Sequence, residues 1–281
     1  MKLYSIETGN FKLDGGAMFG VVPKPLWEKT NPADKKNRID MSARCLLVED
    51  GKKLILVDAG LGNKQSEKFF KHYSRWGDRS LADSLKAEGF SPDDITDVFF
   101  THLHFDHCGG ATKREGEKIV PSFKNAKFWC SKSHWDWATI SPNPREKASF
   151  LKENLLPLKD SGQLNLFDSD NDGACPELGF DLLLFDGHTE KMALPKLRYK
   201  EKTILFASDL FPTAGHIPIP YLMGYDIRPL ITMEEKERVL QGAVKNNVLL
   251  FMQHDPINEV VALKATEKGV RFDQSIPLNK L

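Results

Sequence analysis

Cysteine is scarce in this 281-residue chain: Cys45, Cys108, Cys130 and Cys175 stand far apart, with no Cys-x-x-Cys pair. That usage fits reduced thiols better than a disulfide framework, so a cytoplasmic setting is expected. Net charge is lacking too, because 39 Lys and Arg residues are matched by 39 Asp and Glu residues. No basic excess advertises a nucleic acid or an anionic membrane, and neither is expected as a partner. No apolar run approaches the length of a membrane span. The opening Met1-Lys2-Leu3-Tyr4-Ser5-Ile6-Glu7 has neither the apolar stretch nor the small-residue cleavage site of a signal peptide. Low-complexity tracts and short-period repeats are absent as well. What is present, 41% hydrophobic and 28% charged residues, is the composition of a globular protein that buries a real core.

Short apolar runs bounded by turn residues mark the strands. Cys45–Val48 and Lys53–Val57 flank Asp50-Gly51, a hairpin signature. Further strands are expected at Val98–Phe100, Lys127–Cys130, Phe180–Phe185, Thr203–Ala207 and Val248–Met252. Helices fall between them. Ser80–Glu88 places Leu81 and Leu85 on one face, Ser91-Pro92-Asp93-Asp94 reads as a helix start, and Thr232-Met233-Glu234-Glu235 reads as a capping box opening a helix to about Asn246. Strands and helices alternate throughout, which indicates an α/β sandwich with mixed sheets. The chain is expected to form one domain, 1–281. Two segments look like additions to it: a long loop at 15–40, rich in Gly and Pro, and a helical cap at 131–160 carrying Trp135, Trp137 and Phe150.

The decisive segment is Thr101-His102-Leu103-His104-Phe105-Asp106-His107-Cys108-Gly109-Gly110, just after a buried strand. In an extended chain His102 and His104 project to the same side. Asp106 and His107 follow at a turn that Gly109-Gly110 allows. Imidazole nitrogens and carboxylate oxygens are the usual ligands of zinc and related divalent ions. Three of the eight histidines are gathered here between apolar and glycine residues, which sets the segment apart from a histidine-rich surface turn.

His102-x-His104-x-Asp106-His107 resembles the signature of the metallo-β-lactamase superfamily, and later landmarks follow in that family's order across nearly the whole chain. The resemblance implies the family's fold, a four-layer αβ/βα sandwich of two mixed β-sheets. It implies that Asp58 supports the site from behind its ligands and that His188, Asp209 and His254 complete them. His102, His104 and His188 would then hold one ion and Asp106, His107 and His254 the other, with Asp209 bridging. Two such ions 3.5–4 Å apart are expected to share a hydroxide nucleophile at neutral pH, with Asp106 or Asp209 taking the released proton. Zinc is the first expectation for both ions; iron, manganese and cobalt accept the same ligands.

A fold does not supply a substrate, but the layout is closest to quorum-quenching N-acyl homoserine lactonases and the related organophosphate hydrolases. A small ester or lactone is therefore the expected substrate. A phosphodiester or phosphotriester hydrolase is the alternative, followed by a non-hydrolytic diiron or binding member of the fold, and a homodimer stays open. Phe19, Trp27, Trp135 and His216 are candidate substrate contacts. Such lactonases carry a tyrosine three residues after the bridging aspartate; here that position is Pro212, and Tyr221 or Tyr225 is the candidate to polarise the lactone carbonyl in its place. His72 is expected at the surface, His134 beside the cap, and Cys108 in packing.

Overall fold

The Asp50-Gly51 turn closes a hairpin between β2 (Arg38–Asp50) and β3 (Lys53–Val57), with Leu47 paired to Leu56 and Gly51 at φ +60°. A computed structural model describes residues 1–168 and 170–281 and shows two compact units. The first comprises Met1–Asn10, Ala43–Asn171 and Lys191–Ala193. Besides β3 and most of β2 it contains most of β1 (Lys2–Asp14), together with β4 (Asp97–Phe99), a small hairpin of β5 (Thr112–Glu115) and β6 (Lys118–Pro121), β7 (Lys127–Ser131) and β8 (Leu164–Phe167). The main sheet runs β1-β2-β3-β4-β7-β8. Strands β3, β4, β7 and β8 are parallel neighbours, whereas β2 and β3 are antiparallel.

Parallel strands need apolar cover, and these have it. Leu47, Leu56, Val98, Phe100, Phe128, Leu155 and Leu158 are buried in one cluster, each worth roughly 1.5–3 kcal/mol relative to exposure. Ser80 caps the helix Leu81–Ala87 by accepting the Asp83 N–H at 3.2 Å. The Ser91-Pro92 start yields only one 3-10 turn, Pro92–Asp94, because Ile95 is already extended on the way into β4. The 131–160 segment contains the helices Lys132–Thr139 and Lys152–Asp160.

The second unit comprises Phe11–Ser42, Asp172–Glu190 and Leu194–Leu281. Its strands are β9 (Gly173–Cys175), β10 (Phe180–Phe185), β11 (Met192–Tyr199), β12 (Lys202–Phe206), β13 (Val248–Phe251), β14 (Val260–Thr266) and β15 (Gly269–Ile276). They lie in the order β15-β14-β13-β12-β11-β10-β9, with β12 and β13 parallel and β11–β12 and β13–β14 antiparallel. The chain is thus an α/β protein with two mixed sheets, as expected.

Two local expectations are corrected. Residues 15–40 are not one loop: Asp14 accepts the Ala17 N–H at 2.8 Å and caps a helix Gly15–Phe19, a second helix follows at Lys24–Trp27, and β2 begins at Arg38. The helix near 232 begins three residues earlier and spans Pro229–Asn246, with Pro229 in its first turn. Glu235 does not close a capping box, because its carboxylate accepts the N–H groups of Asp186 and Gly187 at 2.6 and 3.1 Å instead.

Candidate metal centre

In the first unit, parallel pairing sets Val57 of β3 opposite Phe99 of β4. Asp58 and Thr101 therefore leave the same edge of the sheet, one and two residues beyond that pair. Asp58, fully buried and at φ +59°, accepts the Thr101 N–H at 2.8 Å and the Thr101 hydroxyl at 2.9 Å. Beyond Thr101, His104 opens a one-turn helix, Phe105–Cys108, that presents Asp106 and His107. His102, His104, Asp106 and His107 are all buried.

Hydrogen bonding assigns the tautomers. The Thr101 hydroxyl donates to Asp58, so its oxygen accepts the Nδ1–H of His102 at 3.1 Å. Glu146, buried and held by Trp137 Nε1–H at 2.5 Å, takes the Nε2–H of His104 at 3.3 Å. The remaining nitrogens, His102 Nε2 and His104 Nδ1, then point lone pair to lone pair at 3.0 Å. That contact is repulsive without a cation between the two nitrogens. Two ligands at 2.0–2.1 Å from a tetrahedral ion sit about 3.3 Å apart, close to this spacing. His107 follows the same plan, giving Nδ1–H to Asp58 at 2.9 Å and turning Nε2 toward Asp106, 3.8 Å away.

The second unit repeats the device. Phe206 of β12 pairs with Phe251 of β13 in parallel register, so Asp209 and His254 each lie three residues beyond the pair at one sheet edge. His254 gives Nδ1–H to the Ser42 carbonyl at 2.8 Å, and His188 gives Nδ1–H to Asp226 at 2.9 Å. Their Nε2 atoms face the two oxygens of a single carboxylate: His254 lies 2.9 Å from Asp209 Oδ1, and His188 lies 3.1 Å from Asp209 Oδ2. Burial pulls the His188 imidazole down, but the Asp209 and Asp226 carboxylates outweigh it and raise it to about 10. Such a site calls for positive charge. Gly187 lets the His188 loop sit against the long helix, since a Cβ there would fall 2.4 Å from Thr232 Oγ1. The donor chemistry and spacing of both units fit divalent ions, and the chain carries His and Asp groups suited to two of them.

Residues 39–254 match the Metallo-beta-lactamase superfamily. The chain belongs to that superfamily. It is similar to the N-acyl homoserine lactonase of Bacillus cereus, with 22% identity over 267 residues, 90% of this chain and 93% of that protein. Among solved structures it resembles a probable metal-dependent hydrolase from Staphylococcus aureus, with 29% identity, a TM-score of 0.87, and 98% and 96% of the two chains covered. It also resembles AidC, a dizinc quorum-quenching lactonase in complex with a homoserine product, with 23% identity, a TM-score of 0.79, and 98% and 95% covered.

For a superfamily member, the residues around the ligands are as informative as the ligands themselves. Several expected substrate contacts prove to be interior packing. Phe19 stacks on Trp27 with centroids 5.3 Å apart and on His216 at 4.2 Å, and all three are at most 1% exposed. His216 is fully engaged: the Thr213 hydroxyl lies 2.8 Å from Nδ1 and Nε2–H donates to the Met18 carbonyl at 2.8 Å. Burial lowers it to about 3, so it is a neutral clamp rather than a substrate ligand. Trp135 lies in the first unit's apolar cluster, 4% exposed, and fills core where a pocket wall is expected. Tyr221 is half-buried, edge-on to Phe19 at 6.2 Å, while Tyr225 is 40% exposed. His134 is buried and its Nε2 accepts the Leu103 N–H at 2.9 Å, bracing the ligand segment from within. His72 is exposed. Cys108 is buried, its thiol pushed up to about 12 by that burial, which suits packing.

Sequence reasoning misses Glu146, Asp226, Ser42 and Glu235. Each acts from a distant segment, and for Glu146, Ser42 and Glu235 nothing in the neighbouring sequence marks it. Only Asp226, in Gly224-Tyr225-Asp226, bears the faint signal of an acid inside an apolar loop.

Proposed function

We propose that the chain is a metal-dependent hydrolase that opens a lactone or a small carboxylic ester at a dinuclear centre. His102, His104 and His188 would hold one ion, Asp106, His107 and His254 the other, and Asp209 would bridge. The observation that carries this reading is the tautomer pattern: each of these five imidazoles has one nitrogen tied to an acceptor. The second nitrogen of four of the five faces another ring nitrogen or a carboxylate oxygen at 2.9–3.1 Å. When bound, a pair of divalent ions lowers the pKa of water to about 7 and polarises a carbonyl.

The chain's own residues do the rest. Asp58, Glu146, Asp226 and the Ser42 carbonyl fix the imidazole tautomers and orientations. Asp106 and Asp209 are the carboxylates available to accept the proton released on attack. Tyr221 supplies the phenol nearest the lactonase tyrosine in sequence, and we assign it to the substrate carbonyl. Zinc is the proposed metal, as in the dizinc AidC. The relatives named as N-acyl homoserine lactonases favour an acyl lactone substrate, and the four free, buried cysteines suit a cytoplasmic setting. Among the described residues no helix is long and apolar enough to cross a membrane.

The test is elemental analysis of the purified protein, followed by a hydrolysis screen of the loaded enzyme. The screen compares acyl homoserine lactones, aryl esters, phosphodiesters and phosphotriesters. Two divalent ions per chain and turnover strongest on lactones are expected. Protein with no transition metal would end the hydrolase reading, and preference for a phosphoester would replace the substrate class.

A further inference from the structure

Lys236, in the long helix Pro229–Asn246, is only 1% exposed, and among the described residues its ammonium hydrogen-bonds to no carboxylate. Its hydrogen bonds all go to main-chain carbonyls of one short loop: His216 at 2.6 Å, Pro218 and Tyr221 at 2.9 Å, and Ile219 at 3.4 Å. The Phe211 ring lies 5.6 Å from the nitrogen. Burial draws the ammonium down to about 7, with Asp226 alone opposing it. A buried cation that no carboxylate hydrogen-bonds is costly, so its retention calls for a reason.

The loop supplies one. His216-Ile217-Pro218-Ile219-Pro220-Tyr221 contains two prolines, which have no N–H and interrupt regular pairing. Its carbonyls turn inward with few local donors, and a three-donor ammonium collects them as no neutral side chain of that length can. The same loop ends at Tyr221, whose backbone carbonyl is among the four. The main chain on either side of that phenol is therefore tied to one nitrogen.

We propose that Lys236 is a positioning residue for the reaction, gathering the 216–221 carbonyls so that Tyr221 is held where it meets the substrate carbonyl. This rests on the lactone-hydrolase reading and on the role assigned there to Tyr221. Lys236 itself touches no substrate. Its effect on turnover passes through the loop, so removing it matters only while the Tyr221 hydroxyl is present.

The test is a double-mutant cycle in the full-length, metal-loaded protein with K236M, Y221F and the double variant. N-hexanoyl homoserine lactone and an aryl acetate serve as substrates. K236M is expected to lower kcat at least tenfold with two ions per chain retained, and to cost less than twofold in the Y221F background. K236R, which keeps the charge and its donors, should recover most of the loss. Amide exchange read by mass spectrometry should rise in peptides covering 213–225 and stay unchanged in those covering 101–110. Equal loss in both backgrounds, or unchanged exchange in the loop, overturns the proposal. Should K236M not fold, K236Q replaces it under the same criteria. Wild-type protein inert on both substrates would overturn the underlying reading, and the role of Lys236 in turnover with it, whatever the exchange arm shows.

Discussion

At the scale of single residues, the site is governed by which atom carries each proton. Every proposed histidine ligand has one nitrogen committed to Thr101, Glu146, Asp58, Asp226 or the Ser42 carbonyl. The ring orientation is therefore set before any ion arrives. His216 shows the opposite use of the same side chain, with both nitrogens engaged and the ring stacked on Phe19. Because burial lowers it to about 3 from the ordinary 6.5, the folded protein refuses a proton that the unfolded chain accepts as pH falls below about 6.5. The unfolded state then binds more protons, so stability must fall with acidification through that window. Urea midpoints taken from pH 8 to pH 5 should show wild type losing on the order of 2 kcal/mol to this group by pH 5. His216→Gln should be less stable at pH 8 but flatter across the range, and parallel pH curves for the two proteins would refute the neutral-clamp assignment.

At the scale of elements, legibility followed burial. Strands β3, β7, β10, β12 and β13 are apolar runs and were readable as such, because a strand covered on both faces needs no polar alternation. The 13-residue β1 and the C-terminal β14 and β15 were not readable. Their exposed positions carry Lys, Glu, Arg and Asp, and long-range pairing rather than composition makes them strands. The proposed ligand set is legible for a similar reason: four donors lie within six residues, and the others close short apolar strands. Their supports were not, since Glu146, Asp226 and Glu235 act across 38 to 49 residues of sequence. Contact between the helix Pro229–Asn246 and the His188 loop belongs to this scale. Gly187→Ala would place a methyl group 2.4 Å from Thr232 Oγ1 and 2.5 Å from its nitrogen, an overpacking worth about 1–3 kcal/mol. Gly242→Ala in the same helix meets nothing within 4 Å and should gain up to about 1 kcal/mol from helix propensity. Thermal melts of the two variants should therefore move in opposite directions; similar shifts would show that the loop yields freely.

For the molecule as a whole, the proposed ligands are spread along the chain, from His102, His104, Asp106 and His107 to His188, Asp209 and His254. Under the proposed assignment each ion draws ligands from segments more than 80 residues apart in the sequence. An ion bound by such scattered donors stabilises only the folded state, so its binding free energy becomes folding free energy. Metal present at about a thousand times its dissociation constant would add on the order of 4 kcal/mol. Calorimetry of the loaded protein should give one cooperative transition. Chelation at neutral pH should lower its midpoint by many degrees, with restored zinc reversing the change. Superimposable melts with and without chelator would mean that the folded chain holds no ion.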